Sequence, residues 1–137
     1  MDIVLDTCAL ITFMNGAPMG GAAIQAIGEA QSCARVLVPS VAALEIARKV
    51  NLGRLRLSDG TQPRVWFARA LNEPGFEESP ITVEIAIAAY DLPEPFHKDP
   101  ADRLIVALAR LLDAPVVTVD RKILAYGQLG HVQTIAY

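Results

Sequence analysis

The chain has 137 residues, of which 53% are hydrophobic and 20% charged, and its formal net charge is -3. This length suits one domain with a sizeable core and is too short for two. The negative charge argues against a general nucleic-acid coat, which would be basic, but does not exclude a nuclease whose site is built from carboxylates. The high mean hydropathy, +0.35, indicates an apolar surface that a partner or a second copy covers.

Residues 7–28 carry no charged side chain, so a membrane segment has to be considered. Glycine, proline, asparagine and glutamine interrupt this run, and a spanning helix needs about 20 mainly apolar residues. Two aspartates precede the run, whereas a signal peptide needs a basic start. Cys8 and Cys33 define neither a disulfide framework nor a zinc spacing. We therefore expect a cytoplasmic protein with no membrane segment.

Short apolar runs predict the strands, and longer runs with helical spacing separate them. The predicted strands are, in chain order, 3–5, 35–38, a brief extended piece at 80–82, 115–119 and 132–136. After a turn toward helix at 7–11, the predicted helices are 22–31, 41–50, 64–72, 83–90, 99–112 and 121–124, with loops at 57–63 and 92–96. This alternation predicts an α/β fold with a mostly parallel central sheet flanked by helices, as one domain over residues 1–137.

Four acidic residues stand out against this pattern. Asp6 and Asp120 each follow the end of an apolar strand, and the carboxyl ends of parallel strands are where ligands bind in open sheets. Asp102 lies in the first turn of the 99–112 helix, and Glu45 lies on an otherwise apolar helix. Each also has a structural interpretation, since Asp6 and Asp120 can cap the helices that follow them and Glu45 can pair with Lys49 at i+4.

If these carboxylates converge, their mutual repulsion requires bound protons or cations. Oxygen ligands of this kind suit Mg²⁺ or Mn²⁺, which activate water and neutralise a leaving oxygen in phosphoryl transfer. Thr7 and Thr118 place hydroxyls beside Asp6 and Asp120, where they can orient a carboxylate or water, or serve only as ordinary helix-entry and strand residues.

The stretch from His97 to Arg103 holds two carboxylates three residues apart. Asp99 is the expected N-cap and Pro100 the first helical residue, which aims Asp102 toward the strand ends. Asp99 has a supporting role at most, and His97 stays unassigned. In a similar way, Ser40 is the expected N-cap of the 41–50 helix, which Gly53 closes, and Thr82 is the expected cap of the 83–90 helix.

Basic residues are dense only over 48–56. Arg48, Lys49 and Arg54 are candidates for contact with an RNA backbone, and the alternative is a solvated helix end. The helix with Trp66 and Phe67 and the loop with Phe96 are candidates for a groove that receives a partner segment, although a core role for Trp66 is the common outcome.

Four motifs in order resemble the PIN-domain family, and in particular the VapC-type ribonuclease toxins of bacterial toxin–antitoxin pairs. These motifs are DTCAL from Asp6, EIARK from Glu45 with LGRL from Leu52, HKDPADRLIVA from His97, and VTVD ending at Asp120. The resemblance spans nearly the whole chain. Haloacid dehalogenase phosphatases also begin with an aspartate at a strand end, but they use Asp-x-Asp, and Cys8 stands in the second position here.

The resemblance implies a Rossmann-like PIN fold, Mg²⁺- or Mn²⁺-dependent endoribonuclease activity, a homodimer and neutralisation by a cognate VapB-like antitoxin. Carried over by position, Asp6, Glu45, Asp102 and Asp120 match the family's acidic quartet, with Asp6 and Asp102 as the foremost metal ligands. The alternative is a non-catalytic PIN-like module that binds RNA or protein, in which these acids act only as caps and surface charges.

Overall fold

A computed structural model describes residues 1–137. One sheet of five strands lies at its centre, in the order β3-β2-β1-β4-β5, and every neighbouring pair is parallel. The strands are β1 (Ile3–Leu5), β2 (Val36–Pro39), β3 (Phe76–Ser79), β4 (Val116–Thr118) and β5 (Thr134–Ala136). The predicted α/β fold with a parallel sheet is therefore confirmed.

Seven α-helices connect and flank the strands, with one 3₁₀ turn at Ser58–Gly60. The helices are α1 (Thr7–Met14), α2 (Gly21–Cys33), α3 (Ser40–Asn51), α4 (Pro63–Ala70), α5 (Val83–Ala88), α6 (Pro100–Leu112) and α7 (Arg121–Gln128). The longest of them have 13 residues, and none is long and apolar enough to cross a bilayer.

The alternation of side chains along the strands creates a core on each face of the sheet. In β1, Val4 belongs to one cluster of buried side chains, while Ile3 and Leu5 belong to the other. The first cluster takes more members from α6 than from any other element and adds others from α5 and α7. The second takes members from α1, α2 and α4. Because both faces are covered, the three central strands β1, β2 and β4 are buried along their whole length and are apolar almost throughout.

The third strand lies at a different place from the one that the sequence predicts. The sheet uses Phe76–Ser79, whereas residues 80–82 form no strand. This edge strand has only one large apolar residue, and its central glutamates are exposed, so its local sequence lacks the strand pattern. Glu77 pairs at 3.3 Å with Arg35, which precedes β2. The pairing with β2 therefore makes this segment a strand.

Three capping predictions have different outcomes. Thr82 accepts a hydrogen bond from the Ile85 amide and is confirmed as the cap of α5, and Gly53, with a φ of +69°, follows the end of α3 as expected. Ser40 was wrong as an N-cap, because α3 begins directly after β2 and includes Ser40 as its first residue. The Ser40 hydroxyl instead accepts a hydrogen bond from the Ile81 amide at 3.1 Å.

Candidate metal centre at the carboxyl end of the sheet

The order in which the chain adds strands to the sheet changes direction between the neighbouring strands β1 and β4. From β1 the chain proceeds through β2 to β3 on one side, and then returns to place β4 and β5 on the other. Such a switch point leaves a crevice at the carboxyl ends of the two neighbouring strands. Asp6 follows β1 directly, and Asp120 comes two residues after β4. The strand order thus brings these two aspartates to one crevice.

A single threonine joins the two strand ends. The Thr118 hydroxyl donates to Asp6 Oδ2, and its oxygen accepts a hydrogen bond of 2.9 Å from the Asp120 amide. Thr118 is fully buried, and Asp6 is 6% exposed. The Ala9 amide donates to Asp6 Oδ1 at 2.7 Å, so Asp6 also caps α1. Both oxygens of this carboxylate are therefore held in fixed directions.

Asp120 is likewise a helix cap. The amides of Lys122 and Ile123 donate to its Oδ1 at 2.9 and 3.0 Å, which starts α7 and leaves the second oxygen outside the cap. The capping roles of Asp6 and Asp120 are confirmed. They are compatible with a role in a functional site, because the helices that the two residues cap begin at the crevice.

Glu45 reaches the crevice from α3. The Thr7 hydroxyl, at the start of α1, donates to Glu45 Oε1. The pairing of Glu45 with Lys49 was wrong, because no ion pair forms between them. Lys49 and Glu45 instead line the same cavity.

Asp102 enters the crevice from the start of α6. Helix α6 leads into β4, which is parallel to β1, so the helix runs antiparallel to the strands. It therefore begins at the carboxyl ends of the strands. Asp99 accepts a hydrogen bond of 2.9 Å from the Ala101 amide and is confirmed as the N-cap, with Pro100 as the first helical residue. Asp102 then occupies the third helical position and faces His97, whose Nε2 lies 3.0 Å from Asp102 Oδ2.

A cavity of about 220 Å³ collects these side chains. It is lined by Asp6, Thr7, Cys8, Glu45, Lys49, Asp99, Asp102, Val119 and Asp120. The structure thus brings together the predicted quartet, Thr7 and Asp99 around one space, with Thr118 just behind. Of the basic candidates, only Lys49 lines this cavity; Arg48 and Arg54 are exposed outside it.

Two carboxyl groups of the cavity resist ionisation. Burial raises the pKa of Asp6 above its usual value, and the hydrogen bonds from Thr118 and Ala9 oppose this increase. Burial, together with the charges of Asp99, Asp120, Glu45 and Asp6, raises the pKa of Asp102 to about 7. Carboxylates held this close gain most from a positive charge placed between them.

The donor set of the cavity fits a divalent cation. One oxygen of Asp102, one of Asp120 and a ring nitrogen of His97 lie within 4.8 Å of one another. Asp6 and Glu45 line the cavity together with the two aspartates. Carboxylate oxygens are the preferred ligands of Mg²⁺ and suit Mn²⁺. The sequence alone assigns no role to His97. His97 precedes Asp102 by five residues, and this short spacing was the one sign in the sequence that the two side chains could meet. Whether they meet depends on how the loop before α6 folds back.

The proposed groove between Trp66, Phe67 and Phe96 does not form. Trp66 is 3% exposed and belongs with Phe67 to the core on one face of the sheet. Phe96 packs against the core on the other face, with its ring 4.3 Å from that of Tyr126. The sheet therefore separates the two segments, and the expected core role of Trp66 is confirmed.

Comparison with known proteins is consistent with this geometry. A chain of VapBC2 from Rickettsia felis, in a crystal structure with a DNA fragment from their promoter, superposes with a TM-score of 0.72 at 13% identity over 99% of this chain and 98% of that one. A chain of DNA-bound VapBC from Salmonella typhimurium gives 0.64 at 16% identity, over 99% and 98%. A chain of a toxin–antitoxin complex from Klebsiella pneumoniae gives 0.56 at 19% identity, over 88% of each chain.

A search of curated proteins by sequence finds no match. The family model of the PIN domain, in contrast, matches residues 3–129, which include every strand except β5 and all four acids of the cavity. Because this match covers most of the sequence and agrees with the observed topology, the chain belongs to the PIN domain family.

Proposed function

We propose that this protein is a divalent-cation-dependent endoribonuclease toxin of the VapC type, built as a single PIN domain over residues 1–137. The observation that carries the proposal is the cavity at the β1–β4 switch point, where four carboxylates from distant parts of the chain converge. Membership in the PIN domain family and the likeness to chains of toxin–antitoxin complexes support it.

In this proposal Asp6, Glu45, Asp102 and Asp120 hold Mg²⁺ or Mn²⁺. The bound cation would supply an activated water and stabilise the charge of the scissile phosphate. Thr118 and Thr7 fix the orientations of the Asp6 and Glu45 carboxylates through their hydroxyl groups. Lys49, the only cation lining the cavity, is placed to contact a backbone phosphate, and Arg48 and Arg54 extend this contact along the exposed end of α3 and the turn after it.

A cleavage assay tests the activity. Structured RNAs are incubated with Mg²⁺ or Mn²⁺ and either the wild-type protein or one of three variants. The variants are Asp6→Asn, Asp102→Asn and the matched control Asp91→Asn, which changes an exposed aspartate outside the cavity. We expect cleavage by wild type and control, and its loss in both site variants and in EDTA. Equal behaviour of all four proteins would leave the non-catalytic PIN-like binding module as the better interpretation.

The basic residues have a separate test. Charge removal by Lys49→Gln, Arg48→Gln or Arg54→Gln should weaken RNA binding and reduce its salt dependence, because each phosphate contact releases counterions. Binding is measured in Ca²⁺ to prevent turnover. Unchanged affinity and salt dependence would remove the RNA-contact role of the residue concerned.

We also propose a cognate VapB-like antitoxin and a homodimer. An antitoxin that covers the cavity and inserts a basic side chain among the carboxylates would displace the cation by charge neutralisation. Co-expression of the protein with the product of an adjacent small gene should relieve growth inhibition and yield a stable complex. Persistent toxicity without complex formation would exclude that partner.

A further inference from the structure

His97 has an unusual position for a loop histidine. Its Nε2 atom is buried and has no hydrogen-bond partner, although Asp102 Oδ2 lies only 3.0 Å away. In an imidazole ring, the N–H bond of one tautomer and the lone pair of the other point in the same direction. A carboxylate oxygen that misses this direction is a neighbour of Nε2 and not its partner. The direction in which Nε2 can bind is therefore available for a different atom.

The distances suit a shared cation. Neighbouring ligands of an octahedral ion at about 2.1 Å lie about 3 Å apart. The Nε2–Oδ2 distance is 3.0 Å, and an oxygen of Asp120 lies within 4.8 Å of one ligand atom from each of His97 and Asp102. The His97 and Asp102 atoms therefore match adjacent ligand positions around one ion, and Asp120 is near enough to supply a third ligand.

The loop that carries His97 is held by the helix that carries Asp102. Arg103 is 4% exposed, and its guanidinium donates to the carbonyls of Phe96 and His97, both at 3.1 Å. It also donates to the carbonyl of Ala89 and to Glu94 Oε1, each at 2.8 Å. Because Arg103 follows Asp102 directly in α6, the imidazole and the carboxylate are positioned by one rigid unit.

Aromatic packing restricts the His97 ring itself. The Phe96 ring packs edge-on against it at 4.6 Å, and Phe96 in turn packs on Tyr126 at 4.3 Å. The Tyr126 hydroxyl donates to the carbonyl of Pro93 at 2.6 Å, which ties the other side of the loop to α7. A ring held in this way loses little conformational entropy when it binds a ligand.

We propose that His97 is a nitrogen ligand of the cation bound by Asp102 and Asp120, and that it shifts the preference of the site from Mg²⁺ toward transition-metal ions such as Mn²⁺. The inference rests on the metal site of the proposed function. Mg²⁺ strongly prefers oxygen ligands, whereas an imidazole nitrogen adds affinity for first-row transition metals.

Pulsed electron paramagnetic resonance of bound Mn²⁺ tests the inference directly, because it detects magnetic nitrogen in the first coordination sphere. Wild-type protein loaded with Mn²⁺ should show a ¹⁴N coupling, and selective labelling with ¹⁵N-histidine should replace it by the ¹⁵N coupling. The labelling needs no variant, so it stays informative even if a substitution disturbs the fold. The coupling should vanish in His97→Gln and persist in His131→Gln, the matched control at the other of the two histidines.

Affinities provide a second readout. His97→Gln should weaken Mn²⁺ binding by about 10-fold or more and Mg²⁺ binding much less, so that the Mn²⁺:Mg²⁺ selectivity falls. Bound Mn²⁺ without a histidine nitrogen coupling would overturn the inference while leaving the metal site intact. Wild type that binds Mg²⁺ but no Mn²⁺ would overturn the inference alone. Wild type that binds neither ion would overturn both the inference and the metal dependence of the proposed function.

Discussion

Asp102 is the residue whose surroundings oppose its ionisation most. Its pKa of about 7, raised from 3.8, means that the folded chain holds this proton at pH values where the unfolded chain has released it. Stability therefore falls as the pH rises from about 4 to about 7, since the folded state binds more protons than the unfolded state in this window. Burial of Asp6, whose pKa is also raised, adds in the same direction.

We expect the metal-free protein to lose stability between pH 5 and pH 8, and Asp102→Asn to lose less. Urea denaturation in EDTA at several pH values measures this difference. Added Mn²⁺ should raise the Tm of the wild type more at pH 8 than at pH 5.5, because protons compete with the cation at low pH. An identical pH dependence of Asp102→Asn and wild type would show that Asp102 titrates normally.

Thr118 determines how the Asp6 carboxylate is presented. Thr118→Val keeps the shape of this buried side chain but leaves Asp6 Oδ2 and the Asp120 amide without their partner. We expect a loss of about 1–3 kcal/mol of stability and a decrease of about 10-fold in Mn²⁺ affinity. Calorimetry measures both quantities, with Thr12→Val, at a half-buried threonine outside the cavity, as control. Wild-type Mn²⁺ affinity in Thr118→Val would refute the positioning role.

At the scale of elements, the start of α6 combines a cap and a site. Asp99 accepts the Ala101 amide, and its charge also contributes to the raised pKa of Asp102. These two roles separate in a pair of variants, because asparagine keeps the hydrogen-bond acceptor and removes the charge.

Asp99→Ala should cost about 0.5–2 kcal/mol of stability, and Asp99→Asn much less. Both should lower the pKa of Asp102, since both remove a neighbouring negative charge. Chemical denaturation gives the first quantity and NMR titration of the Asp102 carboxyl gives the second. If Asp99→Asn destabilises as much as Asp99→Ala, the cap is not the source of the stability.

At the scale of the whole molecule, several exposed apolar side chains lie on α5 and at the end of α6. Val83 and Ile87 on α5 are 77% and 60% exposed, and Leu111 and Leu112 at the end of α6 are 45% and 43% exposed. Helices α5 and α6 pack together, and Ile87 and Leu111 line the same surface groove. Large exposed apolar patches commonly mark interfaces, which supports the proposed homodimer.

Sedimentation equilibrium should give a mass twice the chain mass of 14.7 kDa. Ile87→Glu should produce a monomer, because it places a charge in the interface, whereas Ile24→Glu, on the exposed face of α2, should not. A monomeric wild type at tens of micromolar would contradict the homodimer. An Ile87→Glu dimer would place the interface elsewhere.

The sequence by itself determined those features that depend on short stretches of chain. Strands β1, β2, β4 and β5 and the principal helices follow from apolar periodicity, and the Asp99 and Thr82 caps follow from the chemistry of single helix starts. The sequence also predicts that Asp6 and Asp120 follow buried strands, because this prediction requires only the end of each strand.

Only the tertiary structure decided which of these features meet. The strand order places β4 beside β1, so Thr118 bonds to Asp6, 112 residues away in the chain. Pairing with β2 makes β3 a strand despite its polar sequence, and the Arg103 contacts place His97 beside Asp102. The physical reason is the distance along the chain over which each feature is determined. Periodicity and capping depend on a few neighbouring residues. Contacts between distant side chains depend on strand order and loop packing, which no single segment of the sequence determines.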